Sequence, residues 1–293
     1  MRSLLFVPAD GGKKLDKAMA SGADAVIVDL EDSIAPEGKV AARKSAADFL
    51  KDACKATSRP RLLVRVNAIA TGLIDGDLAA VVSARPDAIM LPKAEGGAGV
   101  IHADAKLAVR EAIDGLSDGA IKILAIATET ATALFLAGTY RGASPRLIGL
   151  TWGAEDLSAE LGAEANRDAD GRFLDPYRLA RALCLAGAAA AQVPALDTVT
   201  PDFRNADLLR READGARRDG FVGKMAIHPA QVPIINEVFT PNAQAVAKAR
   251  AIIAAFDANP GKGTVAVGGV MHDRPHLARA RQLLAQASAA GVL

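Results

Sequence analysis

A single (β/α)₈ (TIM) barrel with a C-terminal helical extension is the fold the sequence predicts, on three observations. The 293 residues suit one such barrel, which takes roughly 250. Short β-branched runs alternate with longer alanine-rich segments from one end to the other, the pattern of parallel strands joined by crossover helices. Polar residues stand directly after those runs, where this architecture puts its working face.

Eight runs are expected as strands, at 4–7, 25–29, 62–66, 88–91, 122–127, 147–151, 195–199 and 224–227. Turn and cap residues separate them, among them Ser21-Gly22, Arg85-Pro86-Asp87 and Ser144-Pro145. Beyond the eighth run, helical patterns at 243–256 and 274–289 flank a glycine-rich stretch at 259–269. The expected division is a catalytic barrel at 1–240 and an extension at 241–293 that packs on the barrel wall or reaches a neighbouring subunit. The alanine enrichment fits close-packed outer helices, since alanine has the highest helix propensity.

Composition narrows the function. With 51% apolar and 24% charged residues the chain has material for a large core and no signature of disorder. The 35 basic and 34 acidic residues are spread along the sequence, so no broad field exists to attract nucleic acid. The apolar run Leu4-Leu5-Phe6-Val7 stops at Pro8, too short for a signal-peptide core. No window approaches the ~18 apolar residues that would span a bilayer. The expectation is a cytoplasmic enzyme with no membrane partner. Cys54 and Cys184 are read as buried small hydrophobes. Neither a nucleophilic triad signature, a phosphate loop nor a dinucleotide fingerprint is present.

The residues expected at the barrel mouth are rich in carboxylates: Asp29, Glu31 and Asp32 after the second run, Glu95 after the fourth, Glu129 after the fifth, Glu155 and Asp156 after the sixth, Asp197 and Asp202 at the seventh. Gathered carboxylates repel one another unless a cation neutralises them, and hard oxygen donors suit Mg²⁺, which takes one or two carboxylates and keeps open positions. Glu129 and Asp156, at the ends of neighbouring strands, are the pair chosen as metal ligands. Zinc fits poorly: the cysteines are unpaired, His102 and His228 stand alone, and His272 and His276 straddle Pro275 outside the barrel.

Arg65 interrupts an apolar strand, where a charge is costly unless paired. One reading has its guanidinium grip a substrate carboxylate or a developing oxyanion; the other is a structural ion pair with Asp29 or Asp32. Gly153 and Ala154 offer backbone amides to a carboxylate, or form an ordinary turn. Lys93 either contacts an anion or is a solvated loop lysine, and His228 is read as a satisfied core histidine.

Taken together, Arg2-Ser3-Leu4-Leu5-Phe6-Val7-Pro8, the segment 21–33 ending Val28-Asp29-Leu30-Glu31-Asp32-Ser33, Val64-Arg65-Val66-Asn67, Leu91-Pro92-Lys93, Glu129-Thr130, Gly153-Ala154-Glu155-Asp156-Leu157 and Gly223-Lys224-Met225-Ala226-Ile227-His228-Pro229 resemble the citrate lyase beta-subunit-like family of acyl-CoA lyases, within the HpcH/HpaI aldolase superfamily. The resemblance spans nearly the whole chain. It implies that Glu129 and Asp156 ligate Mg²⁺, that Arg65 contacts substrate oxygens, and that Asp29 and Asp32 support the site. It also implies a carbon–carbon lyase acting on a 3-hydroxyacyl thioester such as malyl-CoA or citramalyl-CoA, giving acetyl-CoA and a 2-oxo acid by retro-Claisen cleavage.

Val270-Met271-His272-Asp273-Arg274-Pro275 resembles the C-terminal motif in which related lyases place an aspartate over a neighbouring subunit's site. On that likeness Asp273 is the catalytic acid/base and the protein a homo-oligomer, a trimer as often in this family; the plainer reading of Asp273 is a helix cap. The chain departs from the pattern at Gly11-Gly12-Lys13-Lys14, where relatives commonly carry asparagine and arginines. Lys13 and Lys14 remain candidates for the CoA phosphates, as flexible point charges. Two alternatives stand beside the acyl-CoA lyase: a citrate lyase beta subunit cleaving a citryl thioester on an acyl carrier protein to oxaloacetate, and a non-catalytic CoA- or metabolite-binding protein.

Overall fold

Eight parallel strands form the centre of a computed structural model that describes residues 1–293. They are β1 (Ser3–Pro8), β2 (Ala25–Asp29), β3 (Arg61–Arg65), β4 (Ala88–Leu91), β5 (Lys122–Ile126), β6 (Leu147–Thr151), β7 (Leu196–Asp197) and β8 (Gly223–Ala226). Their order is β6-β5-β4-β3-β2-β1-β8-β7, and a parallel bridge between Leu150 and Ala195 brings β6 back beside β7. The curl therefore nearly closes, with the Leu150 amide donating to the Pro194 carbonyl at 3.0 Å. Residues of β2 and β4 are buried throughout, as expected when helices cover one face and barrel interior the other. Alternate strand residues, among them Leu4, Ile27, Leu63, Met90, Leu124 and Met225, interlock as the interior core.

The crossover helices are α1 (Lys13–Met19), α2 (Lys39–Ala53), α3 (Ile74–Val81), α4 (Gly96–Ile113), α5 (Ala131–Leu136), α6 (Ala154–Glu160), α7 (Asp175–Ala191) and α8 (Ala206–Asp219), and α9 (Val232–Phe239) follows the last strand. Small residues set their packing distance. A Cβ on Gly187 of α7 would fall 2.4 Å from the Ala137 carbonyl oxygen, so only glycine permits that approach. Helix α8 starts at Asn205, whose side chain accepts from the Leu208 amide, and buries Leu209, Ala213 and Ala216.

Two compact units result, Met1–Ile235 and Asn236–Leu293. The division falls within α9, ahead of the boundary expected at 240/241. In the second unit, α10 (Ala243–Asp257) and α11 (Arg274–Ala289) pack through Ala249, Ile252, Phe256, Leu277 and Ala280. The stretch read as a glycine-rich connection instead holds an antiparallel hairpin, β9 (Thr264–Val267) and β10 (Val270–Asp273). Its two-residue turn is Gly268-Gly269, both at positive φ. No helix is long and apolar enough to cross a membrane.

Asp197, expected at the mouth, belongs to the wall. It accepts from Trp152 Nε1 at 2.8 Å, Lys224 Nζ at 3.0 Å and Arg181 Nε at 3.2 Å, tying β6, β7, β8 and α7 together. Burial alone pushes this carboxyl up, but the Lys224 and Arg181 charges and the Trp152 and Lys224 hydrogen bonds hold it below the ordinary aspartate range. A depressed folded pKa means that the carboxylate's contribution is complete above the unfolded value of about 4 and lost as pH falls through the folded value. Lys224 is fully buried, so Lys224→Met leaves Asp197 with Arg181 as its remaining cation and is expected to cost about 2–3 kcal/mol at pH 7, less than the full loss of a buried pair's partner. Thermal melting checks this; a wild-type midpoint would show that the cluster is dispensable.

Candidate active site

The strand C-termini surround a cavity of about 370 Å³. Parallel register sets Asp29 of β2 directly beside Arg65 of β3. Both close their strands facing this cavity, and the pair is bidentate: Arg65 Nε to Oδ1 and Nη2 to Oδ2, each 2.7 Å. Arg65 Nη1 also lies 3.0 Å from Glu31 and 3.6 Å from Asp32, and the guanidinium stands 5.0 Å over the Phe6 ring. Arg65 thus makes the ion pair with Asp29 that one sequence reading expected, and it also lines the cavity. Burial alone raises the Asp29 carboxyl, yet Arg65 and the Ser33 and Glu31 donors hold it below its usual range.

Glu129 follows β5 and is buried. Its carboxyl is pushed up to about 8, first by burial and next by the nearby Asp156 charge, against the opposing hydrogen bond from the Lys93 amide. That amide donates to Glu129 Oε2 at 2.7 Å. Asp156 sits in the first turn of α6, where Lys93 Nζ reaches it at 2.9 Å. Lys93 Nζ also meets Glu31 Oε1 at 2.6 Å. Burial, opposed by Arg65 and Lys93, moves Glu31 up to about 7.

These residues fit a hard dication. Two carboxylates from adjacent strand ends share the cavity, and one of them is costly to ionise partly because of the other; an ion between them removes that cost. The buried Thr151 hydroxyl lines the same cavity without a hydrogen-bond partner. No three His, Cys, Asp or Glu side chains are arranged so that they could hold a metal ion together, so other coordination positions fall to water or substrate, as Mg²⁺ prefers.

Gly153, the residue before α6, makes room for the site. Its φ of −130° suits any residue, but a Cβ there would lie 2.8 Å from both Cγ and Oε1 of Glu129. Gly153→Ala is therefore expected to displace Glu129 and lower turnover about 10–100-fold, the cost of a misplaced ligand or its support, with a nearly unchanged melting midpoint. Steady-state assays beside thermal melts test this, and full activity in the alanine variant would rule it out.

Of the sequence candidates, Asp29, Asp32, Arg65, Glu129, Gly153, Ala154 and Asp156 all line the cavity. Lys13 and Lys14 do not; they are exposed at the start of α1. His228 is not in the core: it is half-buried, caps a 3₁₀ turn by accepting from the Ala230 amide, and stacks on Phe203 at 4.5 Å. Cys184 is buried, but Cys54 is only half-buried. Asp273 caps α11, accepting from the His276 amide, and the His276 hydrogen bond holds its carboxyl below the usual range. Lys93 and Glu31, placed at strand ends by the sequence but given no part in the metal pair, join the site: Lys93 pairs with Glu31 and with Asp156 rather than standing as a solvated loop lysine. The signal at Lys93 was its place just after Pro92 at a strand end.

Two family models match the chain: HpcH/HpaI aldolase/citrate lyase over residues 2–229, and C-C bond lyase of the TIM-barrel fold over residues 180–292. A citrate lyase subunit beta-like protein of Mycobacterium tuberculosis is 36% identical over 286 residues, covering 98% of this chain and 95% of the relative. A (3S)-malyl-CoA thioesterase of Cereibacter sphaeroides is 36% identical over 294 residues, again 98% and 95%. A crystal structure of a Mycobacterium tuberculosis protein in complex with magnesium, acetoacetate and coenzyme A superposes with a TM-score of 0.75 at 34% identity, covering 98% of each chain. With one family model over most of its length and relatives alike from end to end, the chain belongs to the HpcH/HpaI aldolase/citrate lyase family and is a carbon–carbon lyase.

Proposed function

We propose that this enzyme is a Mg²⁺-dependent lyase that cleaves, or in reverse forms, a 3-hydroxyacyl-CoA thioester such as malyl-CoA or citramalyl-CoA, giving acetyl-CoA and a 2-oxo acid. One observation carries the reading: Glu129 and Asp156 share a cavity wall with Arg65. Glu129 and Asp156 hold the magnesium, which supplies Lewis-acid polarisation of substrate oxygens when bound. The (3S)-malyl-CoA thioesterase relative and the coenzyme A complex of the Mycobacterium tuberculosis protein support the substrate class.

The chain's own groups divide the remaining work. Arg65, pinned by Asp29 and flanked by Asp32, offers fixed donors to the oxygen on which charge grows as the C–C bond breaks. The amide end of α6 at Gly153 and Ala154 has no side-chain cap and orients the substrate carboxylate. As the hydroxyl gives its proton to water and the carbonyl of the 2-oxo acid forms, the bonding pair passes to the acetyl thioester as an enolate, whose carbon must gain a proton. Asp273 of a neighbouring subunit delivers it, which makes the working form a homo-oligomer, a trimer in this reading. Lys13 and Lys14 contact the CoA phosphates. The enzyme acts in the cytoplasm on a soluble thioester.

The test is a panel of malyl-, methylmalyl-, citramalyl- and citryl-CoA assayed for 2-oxo acid release with magnesium and with EDTA. At least one thioester should yield 2-oxo acid with magnesium, and EDTA should stop it. The named relatives favour two competitors, which the same panel separates. Free CoA without 2-oxo acid would establish a hydrolase, and activity confined to a citryl group on an acyl carrier protein would establish a citrate lyase subunit. Binding of the esters with no product at all would leave a non-catalytic binding protein.

A further inference from the structure

Lys93 is one of three non-glycine residues at positive φ, at 49°, a backbone state that side chains adopt only when their surroundings hold them there. The conformation lets one residue serve both carboxylates of the metal pair through independent groups. Its amide holds Glu129 Oε2 at 2.7 Å, and its ammonium holds Asp156 Oδ1 at 2.9 Å. The ammonium has a second seat on Glu31 Oε1 at 2.6 Å and lies 3.6 Å from Asp32. Around the cavity, Asp29, Glu31, Asp32, Glu129 and Asp156 face only Arg65 and Lys93 as cations. Arg65 is committed to Asp29 by two hydrogen bonds, so Lys93 supplies the only ammonium seated on a ligand of the pair.

On the reading that Glu129 and Asp156 hold magnesium, we propose that Lys93 is a resident counter-cation, a positioning residue whose ammonium occupies Asp156 in the metal-free enzyme and withdraws to Glu31 when the dication enters. A lysine suits this exchange: its charge is compact, its stem flexible and its three donors rotatable, and here the side chain is 30% exposed with both seats already within reach. The consequence has opposite signs for two properties. Lys93 steadies the carboxylates without metal, and it competes with metal for Asp156. A lysine that merely braced the site would, on removal, weaken metal binding.

The experiment uses the full chain stripped with EDTA, magnesium titration by calorimetry, and melting with and without magnesium. Lys93→Met is expected to bind magnesium about tenfold more tightly, because a repelling charge a few ångströms from the ion is gone. It should also melt below wild type without metal and be raised further by magnesium. Lys93→Gly relieves the left-handed backbone and keeps the amide to Glu129, so it should fold even where the methionine variant does not, and should show the same two changes. Lys93→Arg, which keeps the charge, should restore wild-type behaviour. Equal or weaker magnesium binding in the methionine and glycine variants, or a metal-free glycine variant melting at or above wild type, would overturn the proposal. The underlying metal assignment fails separately: in that case wild type binds no magnesium, or Asp156→Asn binds it as wild type does, and the proposal falls with it.

Discussion

Asp156→Asn is expected to lower kcat/KM for 2-oxo acid release by about a thousandfold or more, because metal-supplied charge stabilisation is worth several kcal/mol and each ~1.4 kcal/mol is a factor of ten. The substitution keeps the side chain's shape and removes one negative charge from the pair. Its structural cost is small by comparison. The Asp156 side chain is 27% exposed and its partner Lys93 retains Glu31, so a partly solvated ion pair worth at most about 1 kcal/mol is what folding loses. Activity and stability should therefore separate: a nearly normal melt, no measurable heat on adding magnesium, and no turnover at any magnesium concentration tested. Turnover within a fewfold of wild type would remove Asp156 from the metal site.

The barrel was legible because its strands carry a redundant signal. The runs at 25–29, 88–91 and 147–151 coincide with β2, β4 and β6, since a β-branched stretch buried on both faces has few other uses. The same burial hides orientation. In a strand without apolar/polar alternation, nothing local tells which way Asp197 turns, and it turns into an ion cluster with Lys224 and Arg181 rather than to the mouth. The run at 195–199 also shrinks to Leu196–Asp197 as paired strand, because its neighbour β6 meets it through a single bridge. Glu129, Asp156 and Lys93 could all be picked out as polar residues just past apolar runs, but what Lys93 does there could not be read. Its role depends on a left-handed backbone at one residue and on the meeting of loops after β2, β4 and β6, none of which spacing encodes. The β9–β10 hairpin escaped for a local reason: Thr264-Val265-Ala266-Val267 is short and lies between glycines, and a strand that short gains its identity from its partner.

Arg65→Ala is expected to abolish turnover and, unlike Asp156→Asn, to weaken the fold. Asp29 and Glu31 are 2% and 5% exposed, and the guanidinium is the cation that offsets Asp29 in both of its oxygen contacts. Removing one partner of a buried pair typically costs about 3–5 kcal/mol, which at roughly 2–4 °C per kcal/mol lowers the melting midpoint by ~6–20 °C. The pH dependence should change sign as well. In the wild type the lowered Asp29 pKa gives a contribution that is full above the unfolded value of about 4 and lost on acidification through the folded value. Without Arg65, burial is the dominant influence on the same carboxyl and raises it above the unfolded value, so the variant should gain stability relative to wild type as pH falls from 7 towards 5. Arg65→Lys separates the two roles. It keeps a charge for Asp29 but cannot reproduce the two-pronged contact, so much of the stability should return while turnover stays at least about a hundredfold down, as for a lost oxyanion donor. Melts at pH 7 and pH 5 together with the thioester assay decide it. An alanine variant that melts within about 2 °C of wild type at pH 7 would mean that Asp29 finds its counter-charge elsewhere, and a fully active lysine variant would mean that charge alone, not the fixed fork of donors, is what the reaction needs at this position.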